Sequence, residues 1–145
     1  MRWSIIVVLG VWIAARAGAD EAGEKELQKL QGTWIFISIV VEGKDAAQEV
    51  VRNTKLTISG RRFSLKYDQE FHSGLIFVDP SKSPKTIDVI YSSGADKDKK
   101  SLGIYELRND ALKVCIGLAD ASRPTEFVSK PNSRHLLEVL KLQEP

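Results

Sequence analysis

Few residues of this chain belong to the types that carry out catalysis or bind metals. Cys115 is the only cysteine, and His72 and His135 are the only histidines. A nucleophilic cysteine needs a nearby histidine or helix N-terminus to lower the pKa of its thiol, and no such partner is evident from the sequence. Alternation along the strand containing Cys115 places it opposite Val114 and Ile116, so we expect an inert thiol in the wall of the fold.

The histidines and carboxylates do not form a metal-binding pattern. His72 and His135 lie far apart and have no cysteine or carboxylate at ligand spacing, so no metal or cofactor is predicted. The stretch Asp96 to Asp98 lacks the ligand density that calcium requires and is interpreted as an exposed loop. Asp68 and Glu70 could form a carboxylate pair, although a charged turn explains them equally well. Motifs for phosphate binding, serine nucleophiles and zinc proteases are missing from the sequence, so we expect a protein that is not an enzyme.

The elements that position these residues begin with a short helix pattern. Residues 21–31 place Leu27 and Leu30 three positions apart among charged residues, which predicts a one-sided helix. From Gly32 the apolar period changes to two, and the strand Trp34 to Val41 is apolar on both alternating faces. We therefore expect this strand to be covered on both faces, by the interior of the fold and by a second helix near residues 46–52.

The remainder of the chain reads as short antiparallel strands separated by turns. Two prolines, Pro80 and Pro84, end one strand, and Gly60 and Asn109 mark tight turns. Many short strands at regular spacing favour a barrel, which closes on itself and leaves no free edge. The sequence thus predicts an all-β fold, an antiparallel β-barrel of about eight strands with a short N-terminal helix. The remaining strands are expected near residues 56–58, 62–67, 70–78, 86–92, 102–107, 112–117 and 136–142.

The first 19 residues have the features of a secretory signal peptide. Arg2 precedes an apolar run from Trp3 to Ala15, and Ala17 to Ala19 fits a small-residue cleavage site. A retained membrane anchor is the alternative interpretation. The run is, however, shorter than the roughly 20 apolar residues that span a bilayer. We expect residues 1–19 to be a signal peptide and residues 20–145 to form one domain that is periplasmic or secreted.

Removal of this segment would change the charge balance of the chain. Of the 21 basic residues, Arg2 and Arg16 lie within it, whereas all 19 acidic residues follow it, so the remaining chain is neutral. A neutral chain without a basic stripe lacks the electrostatic signature of nucleic-acid binding. It also lacks a polybasic patch for anionic lipid surfaces. We expect no nucleic-acid partner and no stable membrane insertion of the mature chain.

Several motifs, taken in order, carry a family resemblance. They are Gly32-Thr33-Trp34, the strand Gly103 to Leu107, the strand Asp110 to Cys115, and Arg123-Pro124 followed by Phe127. With this arrangement the chain resembles a family of uncharacterised lipocalin-like extracytoplasmic domains that is abundant in planctomycete bacteria. The resemblance implies a lipocalin-like barrel and an exported location. It implies no catalytic residues.

The same resemblance assigns structural roles to Gly32, Trp34, Arg123, Pro124 and Phe127. In lipocalins the glycine permits a tight turn from the helix into the first strand, and the tryptophan fills the closed end of the barrel. An arginine from a late element often packs on that tryptophan. Here either Arg123 or Arg134 could do so through a cation–π contact, and a solvated arginine is the alternative.

Two functional hypotheses follow from this fold. In the first, the barrel holds one small apolar ligand, because small barrels have either filled interiors or a mouth that admits a ligand. In the second, the barrel is a rigid scaffold whose loops at residues 79–85, 93–100 and 118–132 contact an extracytoplasmic protein. The expected interior residues, which could equally fill a dry core, are Phe36, Phe63, Leu65, Tyr67, Phe71, Phe77, Ile87, Val89, Tyr91 and Tyr105.

Overall fold

The computed structural model describes residues 21–145. The predicted signal peptide, residues 1–19, lies outside the described residues. Helix α1 covers residues 21–29 of the described part, and the short helix α2 spans Gln48–Arg52. The strands are β1 (Gly32–Val41), β2 (Lys44–Asp45), β3 (Lys55–Ser59), β4 (Arg62–Tyr67), β5 (Glu70–Asp79), β6 (Lys85–Tyr91), β7 (Lys100–Arg108), β8 (Ala111–Gly117) and β9 (His135–Leu142).

The strands form a closed antiparallel barrel. From β3 to β9 each strand pairs with the next along the chain, and β1 pairs with β3 on one edge and with β9 on the other. Closure therefore uses eight strands, and the two-residue β2 only pairs with the C-terminal end of β1. The prediction of an all-β barrel of about eight strands preceded by a short helix is confirmed. Closure leaves no long unpaired edge, which suits a barrel that stands alone.

One end of the barrel is filled by α1 and Trp34. Leu27 and Leu30 face inward and are buried, and the Trp34 Nε1 donates a hydrogen bond of 2.9 Å to the Leu30 carbonyl oxygen. Gly32 makes the turn between helix and strand with a φ of 121°, in the region that favours glycine. The helix is thus held by its apolar face and by the indole that follows it. We call this the closed end.

The exterior of β1 differs from the expectation. Inward residues Trp34, Phe36 and Ile39 are buried in the core, but Ile35 is 37% exposed and Ile37 is 52% exposed. The prediction that both faces of β1 are covered is wrong. A register shift between Phe36 and Ser38 changes the alternation there, and α2 instead contributes Val51 to the buried core.

The long connection between β8 and β9 packs against the outside of the barrel. The Arg123 Nη1 donates hydrogen bonds to the Asp88 carboxylate at 2.6 Å and to the Gly103 carbonyl oxygen at 2.8 Å. Beneath this connection, Ile104 and Cys115 point outward and are nevertheless buried. The Cys115 Sγ lies 3.5 Å from the Val128 carbonyl oxygen, so the connection covers the thiol. We call residues 118–134 the strap.

Among residues 21–145, no helix combines the length and apolar character needed to span a lipid bilayer.

Candidate functional site

A cavity of about 250 Å³ lies at the end of the barrel opposite α1. It is formed where β1, β4, β6 and β8 end and where β5 and β9 begin, because consecutive antiparallel strands bring alternate ends together. We call it the mouth cavity. It is lined by Val41, Leu65, Tyr67, Glu70, His72, Tyr91, Asp96, Ile116, Gly117, Leu118, Ala119, Leu136 and Glu138.

The walls of the mouth cavity are largely apolar and aromatic. Val41, Leu65, Ile116 and Leu136 supply aliphatic surface, and Tyr67 and Tyr91 supply two rings. Each of these residues occupies an inward position, since strand residues two apart share a face. Pockets that bind small molecules have this composition, with a few polar groups that fix orientation.

Glu138 is the most unusual of these polar groups. It occupies an inward position of β9 and is paired in register with Ile39 on β1 and with Val114 on β8. Within the described residues, no hydrogen-bond donor or cationic side chain contacts its carboxylate. Burial raises the pKa of Glu138 to about 7. An apolar setting disfavours the charged form, and no counter-ion offsets that penalty.

Tyr67 and Tyr91 are electrostatically close to this carboxylate. Burial raises the pKa of both phenols, and the negative charge of Glu138 raises them further. The Tyr91 hydroxyl lies 3.3 Å from the Ser101 Oγ, which fixes the ring from behind. Tyr67, Tyr91 and Glu138 all line the mouth cavity.

His72 supports the ring of Tyr91. The two rings meet edge to face with centroids 6.1 Å apart, and the His72 Nε2 lies 3.4 Å from a Glu70 carboxylate oxygen. The Nδ1 is buried and has no hydrogen-bond partner among the described residues. A β-carbon at Gly94 would come within 3.0 Å of this nitrogen, so glycine lets the β6–β7 loop pack on the histidine.

The charged residues of the mouth cavity are acidic. Glu138 lies inside, and Glu70 and Asp96 complete the set, while no lysine or arginine belongs to the described lining. Lys99 is a weak partner of Asp96, with 3.9 Å between its Nζ and the carboxylate. The charged side chains of the lining are consequently all acidic, and low-dielectric walls strengthen their effect on a charged ligand.

A second recess of about 540 Å³ adjoins the mouth cavity and shares Val41 and Tyr67 with it. Ala47 and Val50 of the α2 region line this recess, together with Asp68 and Pro131. The segment carrying α2 thus stands beside the barrel mouth. A ligand in the mouth cavity would lie next to this recess.

Of the ten expected interior residues, three line the mouth cavity: Leu65, Tyr67 and Tyr91. Five others are buried in the apolar core or at the closed end, namely Phe36, Phe63, Ile87, Val89 and Tyr105. Phe71 and Phe77 lie on the outer surface, 69% and 39% exposed, so their assignment to the interior is wrong. Strand β5 is apolar on both faces, and its pairing register turns His72, Gly74 and Ile76 inward instead.

The expected structural residues are placed as follows. Trp34 is fully buried at the closed end, but the cation–π contacts found among the described residues join Arg61 to Phe77 and Lys113 to Phe127. Neither Arg123 nor Arg134 stacks on Trp34, so of the two alternatives the cation–π contact is wrong. Arg123 is instead held in the strap by Asp88 and Gly103, where Pro124 is buried and Phe127 half-buried. Arg134 donates to the Ala119 carbonyl oxygen.

Sequence reasoning missed Glu138, and it considered His72 only as a metal ligand and not as a residue of the cavity. The signal for Glu138 was present, since it interrupts the apolar alternation of Leu136, Leu140 and Leu142 on the inward face of β9. A charged residue at a core position of a strand pattern points to a special role. His72 gave no comparable signal, because both faces of β5 carry apolar residues.

The remaining candidate catalytic and metal-binding residues do not lie together in one site. Cys115 lies under the strap, and burial raises the pKa of its thiol. Asp68 and Glu70 flank the β4–β5 turn and belong to different recesses. Across residues 21–145, no three histidine, cysteine, aspartate or glutamate side chains are grouped closely enough to hold a metal ion.

The three loops expected to bind a protein partner are divided between the two ends. Residues 79–85 lie at the closed end, where the Lys85 Nζ contacts a Glu26 carboxylate oxygen at 2.9 Å. The loop at residues 93–100 reaches the mouth through Asp96, and residues 118–132 belong largely to the strap. The strap adjoins both of the other loops, because Pro84 and Arg123 line one recess and the Asp120 backbone N–H donates a hydrogen bond of 2.9 Å to the Lys100 carbonyl oxygen. Comparison with known proteins finds no matching family model, no matching curated protein and no matching solved structure.

Proposed function

We propose that this chain is an exported, non-enzymatic, lipocalin-like domain that binds one small ligand in the mouth cavity. The observation that carries the proposal is the asymmetry of the barrel. One end is filled by Trp34 and α1, whereas the other retains a cavity of about 250 Å³ with aliphatic and tyrosine walls. Because this volume lies just below the roughly 300–1,000 Å³ of pockets for drug-sized molecules, the ligand is small.

A dye-binding experiment tests the proposal. A neutral, environment-sensitive dye of the dialkylaminonaphthalene class should bind the folded protein with one-to-one stoichiometry. Leu136→Trp, which fills the cavity, should abolish this binding. Leu75→Trp is the matched control, since Leu75 is 38% exposed on the outer face of β5, and it should leave dye binding unchanged.

Two results would reject the ligand-binding proposal. One is the absence of saturable dye binding to the folded protein. The other is equal binding by the Leu136→Trp and Leu75→Trp proteins, both shown to be folded by circular dichroism. Either result makes a protein partner the better hypothesis. Native mass spectrometry of protein purified from its own host would then identify a co-purifying protein rather than a small molecule.

Export is tested separately. Protein recovered from the periplasmic or secreted fraction should begin at Asp20, which N-terminal sequencing determines. Intact chain beginning at Met1 in the membrane pellet would show that the first 19 residues are an anchor. This outcome would change the location of the domain and leave the mouth cavity as described.

A further inference from the structure

The chemistry of the mouth cavity narrows the class of ligand. Glu138 presents a carboxylate to the cavity, and no described side chain neutralises it. Glu138 is half-buried, so its carboxylate is partly desolvated, and a bound cation reduces the resulting penalty. A ligand with one positive charge would therefore pair with the carboxylate of Glu138.

The aromatic walls favour the same kind of occupant. Tyr67 and Tyr91 line the cavity beside Glu138, close enough for its charge to act on both phenols. Tyrosine faces attract ammonium groups, and this attraction strengthens when the site is shielded from water. A carboxylate together with two tyrosine rings can hold an ammonium group by charge, by hydrogen bonds and by cation–π contact.

The remaining charges disfavour anionic ligands. Glu70 and Asp96 add negative charge to the lining, and no lysine or arginine of the described lining opposes them. A fatty acid or an organic phosphate would therefore meet like charge when entering and when bound. A neutral apolar molecule would fit the walls but leave the Glu138 charge unpaired.

We propose that the ligand of the mouth cavity is a small organic amine, bound with its ammonium group at Glu138 and its apolar part against Tyr67, Tyr91 and Leu136. This inference rests on the proposed ligand-binding function. It adds the charge of the ligand and the residue that selects it. The protein is then an extracytoplasmic amine-binding module.

Three probes of similar shape test the assignment: 2-phenylethylamine, 2-phenylethanol and 3-phenylpropanoate. Isothermal titration calorimetry of the purified protein at pH 8 should show the amine binding at least about tenfold more tightly than the alcohol. The propanoate should bind more weakly than the alcohol. Equal affinities for amine and alcohol, or preference for the propanoate, would overturn the inference.

Substitution of the carboxylate provides the second arm. Glu138→Gln should weaken amine binding by about tenfold or more, because the charge pair is lost, while alcohol binding changes by less than about threefold. Glu106→Gln is the matched control, since Glu106 belongs to β7 and lies outside the described lining of the mouth cavity. Unchanged amine binding by a folded Glu138→Gln protein would also overturn the inference.

The pH profile separates charge pairing from simple apolar binding. The titratable groups that line the cavity with Glu138 are Tyr67, Glu70, His72, Tyr91 and Asp96, and the thiol of Cys115 on the paired strand β8 also lies within reach of its charge. Amine affinity should rise between pH 6 and pH 8, as Glu138 ionises, and this rise should be largely lost in Glu138→Gln. A neutral ligand should show the opposite trend. If the profile of Glu138→Gln matches that of the parent protein, another group governs binding and the assignment of Glu138 is wrong.

The two proposals fail in distinguishable ways. Saturable dye binding without preference for the amine would leave a ligand-binding barrel and remove only its amine specificity. If neither the dye nor any of the three probes binds, both proposals fall.

Discussion

The Tyr105 hydroxyl donates a hydrogen bond of 3.1 Å to a carboxylate oxygen of Glu26, joining β7 to α1 across 79 positions of the chain. Both residues are buried, at 1% and 5% exposure. The same carboxylate is held by Lys85 at 2.9 Å and by Lys29 at 3.3 Å. The closed end is thus fastened by a polar cluster as well as by the apolar contacts of Leu27 and Leu30.

Tyr105→Phe should lower the free energy of unfolding by about 1–2 kcal/mol, because a buried hydrogen bond to a charged group is lost while the ring remains. Urea denaturation followed by circular dichroism measures the change. Tyr67→Phe is the control, since no described residue hydrogen-bonds the Tyr67 hydroxyl, and it should change stability by less than about 0.5 kcal/mol. Equal losses in both variants would show that the Glu26 contact does not fasten α1.

Acid should weaken the closed end through Glu26. Although burial acts to raise the pKa of Glu26, hydrogen bonds from Lys85, Lys29 and Tyr105 hold it below its ordinary value of 4.5. A carboxyl with a lowered folded pKa stabilises the protein above its ordinary pKa, and this contribution is lost as the pH falls through the folded value. Glu26→Gln should therefore be less stable than the parent at pH 7, and the difference should shrink in acid.

Urea melts at pH 7 and in the acidic range below pH 4 test this dependence. Glu21→Gln is the matched control, because Glu21 is an exposed residue of the same helix. A stability difference between Glu26→Gln and the parent that is the same at both pH values would contradict the prediction.

Glu138 should have the opposite effect on stability. Burial raises its pKa from 4.5 to about 7. When the pKa of a carboxyl is higher in the folded than in the unfolded protein, the free energy of unfolding falls as the pH rises from the unfolded-state pKa through the folded-state pKa. Glu138→Gln should accordingly be more stable than the parent at pH 8, by roughly 1–3 kcal/mol, and nearly equal to it at pH 4. Thermal melts at both pH values decide this, and lower stability of the variant at pH 8 would show that the carboxylate has a protein partner.

Trp34→Ala should cost about 3–5 kcal/mol of unfolding free energy, as large-to-small substitutions in a core do. The indole is fully buried and its Nε1 is hydrogen-bonded to the Leu30 carbonyl oxygen, so both α1 and β1 lose contacts. Urea melts give the magnitude. A loss below roughly 1 kcal/mol would mean that Trp34 is not the filling of the closed end.

The strap should protect Cys115 from modification. Its thiol is buried beneath Val128, and Arg123 anchors the strap to β6 and β7. Arg123→Ala should accelerate labelling of the native protein by an aromatic disulfide reagent by about tenfold, because local opening becomes easier. Arg108→Ala, a substitution at the C-terminal end of β7, should leave the labelling rate unchanged. The same labelling rate in both variants would show that the strap opens independently of Arg123.

The spacing of apolar residues along the sequence was sufficient to predict the barrel architecture. The two-residue apolar period of most strands, the turn residues and the paired leucines of α1 all act locally, so an antiparallel barrel with a leading helix could be predicted. The outward position of Cys115 followed from the same alternation. Where both faces of a strand are apolar, as in β5, alternation cannot choose the inner face, and Phe71 and Phe77 were placed inside for that reason.

The site depended on contacts between residues far apart in the chain. The sequence shows that Glu138 stands among inward leucines, but only the closed barrel surrounds it with Tyr67, Tyr91 and Ile116 and leaves it without a cationic partner. The contacts of Arg123 likewise depend on the path of the strap over β6 and β7, and its neighbours in the sequence do not determine them. Local patterns determine which residues form strands, whereas closure and loop path determine which side chains meet, because those contacts join positions that the pattern along the chain does not relate.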